Sequence, residues 1–230
     1  MLGNCMSDDS FFREVDEELR SEKVQNFWKS YGKILIAAAV IFVAAIASWR
    51  FYDYYTAKQA GEAGDAFMAA VKLSEDKKPD EALAALEAIE GQSEGTYRTL
   101  ARLRSAAELT EKGDKEAAIA RYDEVIADGS ADENLKAIAR IRAGMLLVDT
   151  AGVTEVQARV GTLAAPGGPW RSSAREALGL AYFKVGGLEN AFKQFEAVLD
   201  DSEGPASIKQ RMRIMLDLIA SQGGPVKAAS

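Results

Sequence analysis

Histidine is absent from all 230 residues. Its absence removes the commonest general base, the usual nucleophilic triads and most zinc sites. Cysteine occurs once, at Cys5, so neither an intramolecular disulfide nor Cys-x-x-Cys chemistry is available. A chain otherwise free of cysteine is compatible with an oxidising compartment. Positive charge is also in deficit: 28 Lys and Arg stand against 35 Asp and Glu, a formal charge of −7. That balance excludes nucleic acid as the main partner, because phosphate binding needs a basic surface. No P-loop, Rossmann glycine pattern, metal-ligand spacing or nucleophile beside a base occurs. Acidic pairs such as Glu17-Glu18 and Asp200-Asp201 read as solvated faces. No enzymatic activity, metal or cofactor is expected.

Long uncharged runs are scarce as well, and the single one organises the chain. Residues 34–49, ILIAAAVIFVAAIASW, lie between Lys33 and Arg50. As a helix this run spans roughly 24 Å, slightly short of a ~30 Å hydrocarbon core. If Arg50 snorkels, Phe51 and Tyr52 extend the anchor to 34–52. Ala45-Ile46-Ala47 matches a signal-peptidase site. The preceding segment, however, is long and acidic rather than short and basic, so an uncleaved anchor is expected. Arg20, Lys23, Lys29 and Lys33 flank it on one side, and Arg50 and Lys58 on the other. The positive-inside rule then keeps the N-terminus cytoplasmic and sends the larger part of the chain across. Trp28 and Tyr31 at one end, and Trp49, Phe51, Tyr52, Tyr54 and Tyr55 at the other, fit interfacial belts. Ala37, Ala44 and Ser48 form a small-residue face that suits close approach of another transmembrane helix; the alternative is an alanine-rich anchor without a partner.

Residues 1–33 read as a cytoplasmic amphipathic tail, with Phe12, Val15, Leu19, Val24, Phe27, Trp28 and Tyr31 at three- to five-residue steps. Either Met1 or Met6 serves as the start. Cys5 follows no apolar run and is expected to be an inert thiol rather than a lipidation site.

Beyond the anchor, the sequence repeats. ARLRSAAELTEKGDKEAAIARYDEVIAD at 101–128 aligns with AREALGLAYFKVGGLENAFKQFEAVLDD at 174–201. The second copy reads Leu178, Gly179, Tyr182, Ala191, Phe195, Val198; the first reads Ala106, Leu109, Ala118, Tyr122, Val125. Ala70, Leu73, Ala82, Leu86, Ile89 and Gly144, Leu147, Val156, Val160, Leu163 keep the same spacing. This pattern resembles the tetratricopeptide repeat, with a period of about 34. A small residue on one helix accepts a large one from the next, and the hairpins stack. The repeats are degenerate: Arg102, Arg140 and Arg175 stand where that repeat has tryptophan, and its closing proline is missing.

The fold expected is all-α: a single N-terminal transmembrane helix, then a tetratricopeptide-repeat-like α-solenoid of about four hairpins over 56–222, closed by a C-terminal capping helix. Breakers support it. Pro79 starts a helix, Gly91 to Gly95 separates repeats, Gly113 and Gly186-Gly187 turn hairpins, and 165–169 is a loop. Residues 208–221, with Ile208, Met212, Met215, Leu218 and Ile219 apolar, form the cap, and 223–230 reads as a flexible tail. The concave surface should present Phe67, Val71, Leu100, Leu103, Ala107, Ile138, Ile141, Met145, Leu180 and Phe183. So apolar a surface either receives a polypeptide segment or is filled by the C-terminal helix.

The REVDEE tail, the WKSYGK approach to the anchor, the following WRFYDYY and the repeats together resemble the YfgM-like family, ancillary subunits of the SecYEG translocon. The resemblance covers nearly the whole chain. It implies a single-pass protein of the cell inner membrane with a periplasmic repeat domain, working beside the SecYEG translocon with periplasmic chaperones and receiving exported polypeptides. The residues alone support an anchored binding module in the lipid bilayer. A repeat-domain adaptor for envelope assembly or cell-division coordination remains the alternative.

Overall fold

A computed structural model describes the backbone of residues 8–93 and 95–226, and side chains from Trp28 onward. The start residue, Cys5, the side chains of the amphipathic tail before Trp28 and residues 227–230 lie outside the described residues. Among those described, every regular element is helical. The chain divides into two compact units, residues 1–59 and 60–230.

The first unit consists of the N-terminal part of α1 (Asp8–Glu75). No proline interrupts it, and the alanines of the anchor are good helix formers. It is the one helix among the described residues long and apolar enough to cross a membrane, by length and composition. Ile34, Ile36, Val40, Ile41, Phe42 and Val43 are all exposed. Nothing within the unit covers them, as expected of a helix whose solvent is lipid.

The second unit is built from the last turns of α1, residues 60–75, followed by α2 (Pro79–Gln92), α3 (Thr96–Glu111), α4 (Lys115–Ala127), α5 (Glu133–Thr150), α6 (Val153–Val160), α7 (Arg171–Lys184), α8 (Leu188–Leu199) and α9 (Ala206–Ser221). A short 3-10 stretch, Gly161–Ala164, prolongs α6. Successive helices pair, and α7 also packs on α5 and α6 of the preceding hairpin. Local signals set the ends. Pro79 occupies the first turn of α2, where its missing N–H costs nothing. Asp114 caps α4 by accepting from the Ala117 N–H, and Asp132 caps α5 by accepting from the Asn134 N–H. Gly113 (φ 86°) and Gly186 (φ 77°) take the left-handed conformation that turns the second and fourth hairpins. The first hairpin turns at the same register through Lys77 (φ 58°), a conformation that is strained for a residue with a side chain.

Each hairpin is keyed by one small residue and one large residue sixteen positions later. Ala70 pairs with Leu86, Ala106 with Tyr122, Gly144 with Val160 and Gly179 with Phe195, and all are buried. The keying is tightest where the small residue is glycine. A Cβ on Gly144 would stand 2.6 Å from Val160 Cγ1, and one on Gly179 only 2.2 Å from Phe195 Cε1. The helices approach this closely because no side chain intervenes, and the large residue then buries its full apolar surface.

Candidate protein-binding groove

The helix periodicity of about 100° per residue assigns each first helix of a hairpin three sides. The small residue faces the partner helix, and residues five and one before it face the preceding hairpin. The residue one after it, with its neighbours at three- and four-residue steps, faces the remaining side. On this side lie Val71, Ala107, Met145 and Leu180, one from each hairpin.

Of the residues expected there, Phe67, Val71, Leu100, Leu103, Ala107, Ile138 and Ile141 are partly exposed, and Met145 is 36% exposed. Phe67 leans on Tyr97, with ring centroids 6.4 Å apart. Leu103 packs against the buried cluster around Ala106 and Tyr122. Leu180 and Phe183 are partly covered by the cluster that α9 forms with α8.

Three further apolar residues belong to this side. Within residues 60–230 the exposed large apolar side chains described are Met68, Met145, Val185, Ile214, Leu218 and Val226. Met68 lies one turn before Val71. Ile214 and Leu218 lie on α9, which repeats the register of a first helix: Ile208 and Met212 are buried there as Ala174 and Leu178 are buried in α7. Arg213, 34 residues after Gly179, therefore sits at the small-residue position and is exposed. An arginine there does not offer the close approach that glycine or alanine gives a partner helix. Ile214 then continues the row of Val71, Ala107, Met145 and Leu180. The repeat spacing does not reveal it, because among the described residues α9 is not followed by the second-helix half of the pattern.

A family model described as a tetratricopeptide repeat-like domain matches residues 25–221. The chain belongs to the tetratricopeptide repeat-like family. A relative from Escherichia coli strain K12, named ancillary SecYEG translocon subunit, is 28% identical over 191 residues, covering 83% of this chain and 91% of its own. A relative of the same name from Haemophilus influenzae is 25% identical over 128 residues, 56% of this chain and 62% of its own. Both agree with the YfgM-like resemblance. The solved structure titled MamA 41-end from Desulfovibrio magneticus RS-1 superposes with a TM-score of 0.51 at 18% identity, covering 70% of this chain and 89% of that one. It supports the fold alone.

In this tetratricopeptide repeat-like domain, arginine takes over where tryptophan is missing. Arg102 donates from Nη1 to Asp128 Oδ2 at 2.9 Å, just past the end of α4, and from Nε to Glu90 on α2 at 3.3 Å. Arg175 donates to the Ala197 carbonyl in the last turn of α8 at 3.2 Å. A cation at a helix C-terminus also meets the negative end of its dipole. Hairpins are further tied by Arg159 to Asp123, and by Arg171 Nε and Nη2 to Asp201 at 2.6 and 2.7 Å. Arg211 of α9 grips Glu176 of α7 in a fork of 2.6 and 2.8 Å. Tyr122 lies beside Arg142: burial pushes its phenol pKa up, opposed by the Arg142 charge and the Thr110 hydroxyl.

Hydrogen bonds from Arg171, then the Glu203 N–H, hold the Asp201 carboxyl below the ordinary carboxylate range. A depressed pKa contributes stability that is full above the unfolded value of about 3.9 and is lost as pH falls through the folded value. Acid titration followed by circular dichroism is expected to show destabilisation beginning below about pH 4. Asp201→Asn should flatten part of that slope, and an unchanged slope would contradict the assignment.

Proposed function

We propose that this chain is a single-pass protein of the cell inner membrane, with its N-terminus cytoplasmic and its tetratricopeptide repeat-like domain periplasmic. It acts as an ancillary, non-catalytic subunit beside the SecYEG translocon. Its domain limits are a tail at 1–33, an anchor at 34–52, repeats at 56–222 and a tail at 223–230. The observation that carries the binding role is the apolar side of the first helices, where Met68, Met145, Ile214 and Leu218 stay exposed. A folded domain seldom leaves such a row to water unless it receives something. Newly exported polypeptides, whose apolar segments are not yet buried, suit it and would pass from there to periplasmic chaperones. The names of the two relatives support the translocon as the neighbour. The exposed small residues Ala37, Ala44 and Ser48 offer a face for a translocon helix.

Photo-crosslinkers placed at Ala44 and Met145 in the intact chain test this reading. Contacts from Ala44 to translocon helices and from Met145 to unfolded exported chains are expected. Contacts made only with folded division or envelope proteins would transfer the role to an envelope adaptor. A reporter that works only in the periplasm should be active when fused after Ser230; activity of a cytoplasm-only reporter at the same place would reverse the orientation.

A further inference from the structure

We propose that the groove reads charge as well as apolarity: the side of α5 bearing Met145 takes a polypeptide segment in which an apolar residue is accompanied by a carboxylate, which Arg142 receives. This rests on the groove reading above and names the class of segment preferred. Arg142 lies three residues before Met145, about 60° of arc away, and is exposed. Arginine also occupies the matching position on α3 and on α9, but each of those already has a carboxylate beside it within the domain. Arg104 lies 2.5 Å from Glu108, and Arg211 holds Glu176. Among the described residues no carboxylate is paired with Arg142. Asp149, two turns along the same helix, is engaged by Lys115 at 2.8 Å and by Lys184.

The chemistry follows from that placement. A guanidinium presents a planar fork that matches a carboxylate. Beside Ile138, Ile141 and Met145, an arriving apolar segment displaces water and strengthens the pair. The chain as a whole carries a charge of −7 and repels acidic segments at long range. An arginine beside the apolar row, with no carboxylate partner among the described residues and with the Tyr122 phenol near it, reverses that preference locally and disfavours a lysine at the same place.

The test uses the full chain in detergent micelles and three fluorescein-labelled peptides of one apolar sequence, with Glu, Gln or Lys at the centre, followed by fluorescence anisotropy. The Glu peptide is expected to bind about fivefold more tightly than the Gln peptide, and the Lys peptide more weakly than either. Arg142→Gln should bring the Glu and Gln peptides together without changing the Gln affinity, and Arg142→Lys should restore part of the difference. Met145→Gln, which removes apolarity without adding charge, should weaken all three, with thermal melting confirming that each variant is folded. Equal binding of the three peptides, still lost in Met145→Gln, would overturn the charge preference and leave the groove. Binding indifferent to Met145→Gln, or no binding at all, would overturn the groove reading as well.

Discussion

Gly179→Val is expected to lower the stability of the repeat domain by about 3 kcal/mol. A Cβ at this position would meet Phe195 Cε1 at 2.2 Å, Cδ1 at 2.6 Å and Cζ at 2.8 Å. The ring is fully buried between α7, α8 and α9, so it cannot swing aside without displacing Ala191, Val198 or Met212. Valine also brings its own β-branching penalty in a helix. For a domain of this size the loss corresponds to a fall of roughly 6–12 °C in Tm. Gly61→Ala is the control. Nothing lies within 4 Å of the added Cβ there, so removing a helical glycine should stabilise by about 0.5–1 kcal/mol.

The same contact can be removed from the other side. Phe195→Ala should cost about 3–5 kcal/mol through lost burial and the cavity left behind. In the double variant the valine at 179 enters the vacated space, so the two costs should fall well short of adding. Thermal melts of the four proteins check this. Strict additivity would mean that the two residues do not key the hairpin.

Arg211→Ala carries the second large effect. Glu176 is 4% exposed, and its two oxygens receive the Arg211 fork at 2.6 and 2.8 Å. Removing the arginine strands a buried carboxylate, a loss of about 3–5 kcal/mol in a dry interior. Because half of the Arg211 side chain is exposed, water can reach the site, and about 2 kcal/mol is the better expectation here. The damage should be local. Hydrogen exchange is expected to accelerate in α9 and the adjoining α8 before it changes in α3 or α4, since repeat arrays transmit stability mainly between neighbours. Replacing Glu176 by Gln in the same chain should recover much of the loss. Uniform acceleration through all hairpins would argue against α9 being held by this pair.

The expected four hairpins and terminal helix appear in the structure because each signal used was a contact made within one hairpin. The small and large residues of a pair are separated by only a turn, so the spacing of Ala106 and Tyr122, or Gly179 and Phe195, appears directly in the sequence. Pro79, Gly113 and Gly186 act on their own backbone and were equally legible. The arginine links were not. Arg102 finds Asp128 and Arg211 finds Glu176 across 26 and 35 residues, where nothing in a linear pattern couples them. Gly91 shows a smaller difference: it lies inside α2, which runs on to Gln92, because an exposed helix tolerates one glycine at about 1 kcal/mol.

The candidate groove divides along the same line. Which residues of each first helix share a side follows from the 3.6-residue period, and the row from Val71 to Leu180 required nothing more. That Leu180 and Phe183 are partly covered while Ile214 and Leu218 are exposed depends on where α9 settles. Arg211 binds that helix to α7. By itself the sequence determined an uncharged helix able to span a bilayer, a run of keyed hairpins and the absence of chemistry that needs histidine or paired cysteines. Only the tertiary structure decided which apolar residues remain exposed and which arginines are already satisfied, because exposure and pairing depend on distant segments arriving together.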